Sequence, residues 1–333
     1  MVNFPNFSKV IQSRPAQTTT TFGLAEAGNN ALYASKCRFA MLGTPESGKT
    51  TVAAGLVLTS QTRSSDLPDF KCRVNEGSTS IISDASKLRQ GIFPAKTAAY
   101  QPYKMESGLL MKYKSMFGEK SVQVPLVDCS GEDISLFIRQ VDQKQRDLLS
   151  QVYYNNAQAL KNYVRDADGY ILVVPASKVL IGKNQQIEQE AGLKLGLDID
   201  PDVNLHRILA DVVDYKVKHR GHPIKGLAIV VTKWDLLAPI ADELNMNILT
   251  EDGLKTFLDV CIPATAQEIK ACDIKNVQCF PSWFDIERDS KTGMPLLDGD
   301  GHTSIIVDEK TRRPKYSEES YMRLFDWLKA FAV

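Results

Sequence analysis

The chain of 333 residues is predicted to fold as a doubly wound α/β domain, a mainly parallel sheet with helices on both faces. Three observations predict it. Continuous apolar runs of strand length recur at 37–42, 121–127, 169–175, 226–231 and 277–280, as expected of strands buried on both faces. Segments with helical spacing of apolar residues alternate with them. Polar signatures rich in Gly, Asp, Ser and Thr close several of the runs, and open α/β sheets bind their ligands at those strand ends.

Composition bounds the rest. Lys and Arg together number 40 and Asp and Glu also number 40, so the net charge is zero. That leaves no electrostatic footprint for nucleic acid or for an anionic membrane. The six cysteines include no C-x-x-C pair and mostly fall inside apolar runs. They are expected to be small buried thiols in a reducing cytoplasm. No run approaches the length of an integral membrane segment, and neither terminus carries a targeting or lipidation pattern. A cytoplasmic location is expected.

Taken in order, residues 1–30 are polar, with Pro5, Pro15 and a run of four threonines, and are expected to form a disordered arm. Residues 31–333 are expected to be the folded domain, with insertions at 181–222 and 285–316. The run 37–42 leads into Gly43-Thr44-Pro45-Glu46-Ser47-Gly48-Lys49-Thr50, and the apolar stretch 51–58 follows as a helix. This fits G-x-x-x-x-G-K-[S/T], the Walker A loop or P-loop. Strand, glycine loop and helix start aim backbone N–H groups and the positive end of a helix dipole at phosphate. Side chains at Gly43 and Gly48 would fill the space the phosphates need. Lys49 is expected to reach the β- and γ-phosphates, and the Thr50 hydroxyl to hold Mg²⁺. Glu46, Ser47 and Thr51 complete this part of the nucleotide site.

A strand at 70–74 and a helix from Ser78 or Thr79 to Leu88 are expected next, closed by Gly91. The loop 92–97 ends in Thr97, placed between first helix and second strand as a sensor of Mg²⁺ and γ-phosphate. Strands at 109–114 and 121–127 follow. The second runs into Asp128-Cys129-Ser130-Gly131, a D-x-x-G in which Asp128 can hold Mg²⁺ and the Gly131 N–H can touch γ-phosphate. Residues 132–166 read as helical core. A candidate helix at 205–219 precedes the run 226–231, which ends in Thr232-Lys233-Trp234-Asp235. His206, His219 and His222 have no acidic or cysteine partner at metal spacing in the sequence and are expected on the surface. After a helix around 254–260, the last parallel strand ends at Pro281-Ser282-Trp283. Asp298-Gly299-Asp300-Gly301 lacks the remaining ligands of a calcium loop and is expected to be a hairpin turn. Ser317 is expected to cap a final amphipathic helix.

Thr232-Lys233-Trp234-Asp235 resembles the [N/T]-K-x-D guanine-recognition motif of the Ras-like and translation-factor class of P-loop GTPases. The chemistry fits: a carboxylate at Asp235 can accept from both N1–H and N2 of guanine, and the Lys233 stem can cover the base. Thr232 departs from the commoner Asn. Ser282 falls where the class makes a backbone contact to guanine O6. Glu46-Ser47-Gly48-Lys49-Thr50 is similar to the loop of heterotrimeric G-protein alpha subunits, as Lys96-Thr97 is to the end of their first switch. Pro94 stands where those subunits carry an arginine, and residues 60–95 are too few for their all-helical insertion. The stretch 91–97 resembles prokaryotic GTPases of the double-GTPase type.

The resemblance covers about residues 35–285 and implies a G domain that binds GTP and GDP with Mg²⁺. It implies a molecular switch with a protein effector or regulator. Catalytic roles fall on Lys49, Thr97 and Glu132. Glu132 stands where Ras-like proteins carry a glutamine; it can accept from water but offers no amide donor. Slow hydrolysis is expected, roughly 10⁻⁴ to 10⁻² s⁻¹. An ATPase or nucleotide kinase, and a GTP-binding scaffold with little turnover, are the competing readings.

Overall fold

Alternation along the central strands sorts the core into two layers. In the computed structural model, Ala40 and Leu42 of β1 (Cys37–Gly43) face one layer, and Phe39 and Met41 face the other. The same division runs through β5 (Gly169–Pro175) and β6 (Leu227–Thr232), whose backbones are buried along their whole length. Successive side chains of a strand point to opposite faces, so a sheet covered on both faces needs apolar residues at nearly every position. The structure describes residues 37–43, 47–64, 69–74, 79–95, 108–116, 118–125, 164–176, 201–219, 224–291, 295–297 and 303–333. The expected arm at 1–30 lies outside them, as do Thr97, Asp128, Gly131, Glu132 and His222.

The remaining strands are β2 (Phe70–Val74), β3 (Gly108–Ser115), β4 (Gly118–Pro125) and β7 (Val277–Ser282). They form a mixed seven-stranded sheet in the order β2-β3-β4-β1-β5-β6-β7. β1 pairs in parallel with β4 and β5, and β6 in parallel with β5 and β7. β3 runs antiparallel to both β2 and β4. The sheet is therefore mainly parallel, with an antiparallel flank. From β1 the chain crosses to the far edge at β2 and returns inward through β3 and β4, then builds outward on the other side through β5, β6 and β7, which makes the C-terminal end of β1 a topological switch point.

One face carries α1 (Lys49–Thr62), α2 (Thr79–Arg89) and α7 (Glu318–Lys329). The other carries α3 (Pro201–His219), α4 (Trp234–Glu243), α5 (Glu251–Cys261) and α6 (Pro263–Ala271). From Val52 to Thr59 every residue of α1 is buried, as befits a helix enclosed by the sheet, α2 and α7. The described part of the expected 181–222 insertion is largely α3, which crosses from β5 to β6. It buries Leu205, Ile208, Leu209 and Val212 in the core. The carboxylate of Asp202 accepts from the N–H groups of Ala264 and Thr265 at 2.8 Å each, capping α6 from α3.

One expectation needs correction. Ser317 occupies the N-cap position of α7 but does not cap it. Its hydroxyl accepts from the N–H of Trp283 at 3.0 Å and donates to the Trp283 carbonyl at 3.3 Å, tying the helix start to the end of β7. His206 has an acidic neighbour that linear spacing missed, with Nε2 at 3.4 Å from Glu268 of α6. Among the described residues, no group of three or more His, Cys, Asp and Glu is arranged to hold a metal ion. Cys37, Cys261 and Cys279 are buried thiols; Cys72 and Cys272 are partly buried. Burial pushes the Cys37 thiol up to about 11, so it stays protonated and inert. No helix among the described residues is long and apolar enough to cross a membrane.

Segments 284–288, 295–297, 303–307 and 314–316 make an antiparallel extension beyond β7. Its pairs are Phe284 with Tyr316, Ile286 with Ile305, Arg288 with Pro295, Leu297 with Thr303 and Val307 with Pro314. The turn expected at 298–301 lies outside the described residues. Beyond the sheet this arm meets α1, where Tyr316 and Thr59 share a hydroxyl hydrogen bond of 2.9 Å. It also meets the segment after α2, where the Ile305 N–H donates to Gly91 O at 2.8 Å.

Candidate functional site

Register brings three of the sequence signatures to one edge. Gly43 at the end of β1 lies opposite Val173 of β5, and Thr232 of β6 lies opposite both Pro175 of β5 and Ser282 of β7. Because β1, β5, β6 and β7 are parallel, all four deliver their C-terminal ends to the same side.

At β1 the backbone turns into α1 through Gly48, whose φ of 86° is left-handed and unfavourable for a side chain. Gly43 has a different reason to lack one. A Cβ there would sit 2.5 Å from Ser47 Oγ and 2.7 Å from the carbonyl of Val173. The N-cap residue, Gly48, has no side chain to cap α1, and the first turn contains no acidic residue. The first turn thus adds no carboxylate of its own to the positive end of the helix dipole, which suits an anion site. Lys49, Thr50 and Thr51 form that first turn and are partly exposed. The Lys49 ammonium reaches back to the strand end and donates to Gly43 O at 3.0 Å. Ser47 is fully buried and its Oγ has no hydrogen-bond partner among the described residues, an orphaned hydroxyl beside Gly48. Glu46 lies outside the described residues.

The second signature docks on the first. Thr232 is buried, and its Oγ1 donates to the carbonyl of Ser47 at 2.7 Å. Its methyl stands 3.4 Å from where a Cβ of Gly48 would be. The hydroxyl of Thr232 thus ties the glycine loop to the β6 loop across 185 residues of sequence. Lys233 follows with a φ of 55°, in the left-handed region, and its side chain is exposed. That turn places Asp235 in the first turn of α4, where the helix dipole favours a carboxylate. The side chain of Asp235 is 27% exposed, between solvent and core. Burial raises its pKa, and the guanidinium of Arg288 opposes that rise with Nη2 at 2.8 Å from Oδ2.

Ser282 is buried beside Thr232, and its hydroxyl shares a 2.8 Å hydrogen bond with Tyr321 of α7. Its side chain is thus engaged with α7. Thr97, Asp128, Gly131 and Glu132 lie outside the described residues. Sequence reasoning missed Arg288. A basic residue in a charged, turn-rich stretch carries no motif, and only the path of the arm brings it to Asp235.

No protein-family model matches the chain, and no curated protein matches it. Among solved structures it is similar to the crystal structure of the GTPase-like domain of S. cerevisiae Ski7 bound to GTP, at 14% identity and a TM-score of 0.35. The similarity covers 91% of this chain and 52% of that one, so the chain spans about half the length of that protein. A likeness of this order speaks to neither ligand nor chemistry.

Proposed function

We propose that the chain binds GTP at the C-terminal edge of its sheet and hydrolyses it slowly to GDP and phosphate, acting as a nucleotide-dependent switch. The observation that carries this reading is the 2.7 Å bond from Thr232 to Ser47. It fastens a phosphate-type glycine loop to a loop presenting a half-buried carboxylate, so one ligand with phosphates at one end and a hydrogen-bonding base at the other spans both.

In this reading the N–H groups at the start of α1 and the Lys49 ammonium hold the β- and γ-phosphates. The orphaned Ser47 hydroxyl and the space kept open at Gly43 fit a phosphate-lined loop. Asp235 accepts from guanine N1–H and N2, Lys233 covers the base, and the Ser282 backbone meets O6. Hydrolysis forms a bond from water oxygen to the γ-phosphorus and breaks the bond to the β-phosphate oxygen, which leaves with the electron pair as GDP. Lys49 steadies the charge that shifts toward the leaving oxygen, and Glu132 orients the water by accepting from it. Thr50, an oxygen donor at the helix start, suits a hard cation, and Thr97 and Asp128 would complete its protein ligands. Bound Mg²⁺ would supply neutralisation of the phosphate charge.

Substitution at Asp235 tests the reading. Xanthine carries a carbonyl where guanine carries its amino group, and Asp235→Asn swaps an acceptor for a donor. The variant is expected to lose GTP and gain XTP, while the wild type rejects ATP by roughly 10⁴-fold. Competition of XTP and ATP against labelled GTP on both proteins reads this out. A variant that keeps its preference for GTP removes the guanine assignment.

A further inference from the structure

The arm beyond β7 delivers a cation to the carboxylate on which base recognition is proposed to depend. Arg288 lies 53 residues from Asp235 in sequence, yet its Nη2 is 2.8 Å from Oδ2. The arm fixes its place. Arg288 pairs with Pro295 across the arm, the Leu296 N–H donates to Glu287 O at 2.8 Å, and the Glu287 N–H donates to Ser304 O at 3.1 Å. We infer that Arg288 is a positioning residue for base specificity: it holds the Asp235 carboxylate at Oδ2 and turns it toward the two donors of guanine. The inference rests on the reading of Asp235 given above.

Two points favour this role over that of a plug in the base site. A carboxylate has about four acceptor positions, so one held by Arg288 leaves Oδ1 and a lone pair of Oδ2 for N1–H and N2–H. The pair is also partly exposed, at 34% for Arg288 and 27% for Asp235, which leaves an open side for a base to approach.

Ionisation follows from the same contact. Burial raises the pKa of Asp235 and Asp285 of the arm raises it further, while Arg288 lowers it. Only the ionised carboxylate accepts from both guanine donors. Base affinity is therefore retained above the folded pKa and lost as pH falls through it. Without Arg288 that pKa rises, and the loss begins at higher pH.

Four ligands and two variants test the role: GTP, ATP, ITP (which lacks the N2 amino group) and tripolyphosphate (which has no base), with Arg288→Ala and Arg288→Lys in the full chain. A wild type that binds GTP no better than ATP removes the reading of the site, and the inference with it. Given a wild type that prefers GTP, Arg288→Ala is expected to bind it about tenfold more weakly at pH 7, with a smaller GTP-to-ITP ratio. Its affinity should begin to fall at higher pH than that of the wild type, while tripolyphosphate binds both equally. Arg288→Lys keeps the charge and is expected to restore the pH profile. Unchanged GTP affinity and pH profile in Arg288→Ala would overturn the inference, as would tighter binding, which marks a competitor. Equal weakening of GTP and tripolyphosphate would also overturn it, since that marks general loss of structure.

Discussion

Thr232 does two jobs with one small side chain. Its hydroxyl donates to Ser47 O while its methyl packs beside Gly48, and the residue is buried at the end of β6. Thr232→Val keeps the shape and removes the donor, leaving the Ser47 carbonyl short of a partner in a buried setting. Such a loss costs about 1–3 kcal/mol. We expect a lower unfolding midpoint in urea and weaker GTP binding together, because the bond sets the spacing between phosphate loop and base loop. Thr232→Ser keeps the donor and is expected to retain GTP affinity; weakening of both variants alike would detach the hydroxyl from the effect. At this scale the sequence was readable where chemistry is local. Gly43, Gly48 and Lys49 follow one another within a single turn, and Asp235 lies three residues after Thr232. Arg288 was not readable, because its meaning comes from the course of the arm. Nor was the role of Ser317, a good N-cap by residue type whose hydroxyl is held by Trp283 instead.

At the scale of elements, α1 is held in place by what its neighbours insert. A Cβ on Gly55 would lie 2.6 Å from both Cζ and the hydroxyl of Tyr321, so α7 packs its largest buried ring into the gap that Gly55 leaves. Gly elsewhere in a helix interior costs about 0.5–1 kcal/mol relative to Ala, so Gly55→Ala would stabilise an isolated α1. The clash reverses the sign. Overpacking of this kind costs about 1–3 kcal/mol, and the displaced ring would also strain its bond to Ser282. We expect Gly55→Ala to lower the thermal midpoint, and a raised midpoint would show that α7 yields without cost. The strands were legible because burial on both faces writes continuous apolar runs such as Leu227–Thr232. Two helices were not. Pro239 inside α4 argues against a helix by removing a backbone donor, yet the packing of Leu237 and Ala241 carries the helix through. Pro263 begins α6 at a position where its missing N–H is harmless, directly after α5, so the pair reads as one interrupted segment.

For the molecule as a whole, the arm is the one described element that touches both the proposed base site and the approach to Thr97. Arg288 meets Asp235, the Ile305 N–H donates to Gly91 O at 2.8 Å, and Phe93 packs edge-on against Phe284 at 5.9 Å between ring centroids. Phe284 in turn stacks on Tyr316, whose hydroxyl meets Thr59 of α1. Thr97, the proposed sensor of γ-phosphate, thus follows by a few residues a segment anchored on the arm. A ligand shifts such a system only by binding its states unequally. GTP and GDP make the same base contact, so the arm should respond to both, while the region of Thr97 should respond to the triphosphate alone. Hydrogen exchange resolves the two. With either nucleotide, the amides of Glu287, Leu296 and Ile305 are expected to exchange more slowly, whereas residues 86–104 should gain protection only with a non-hydrolysable GTP analogue. In Thr97→Ala the arm should keep its response, GDP affinity should be nearly unchanged, and the triphosphate-specific protection should vanish. Equal protection of 86–104 by both nucleotides in the wild type would remove Thr97 as the sensor and leave the arm reporting on the base alone.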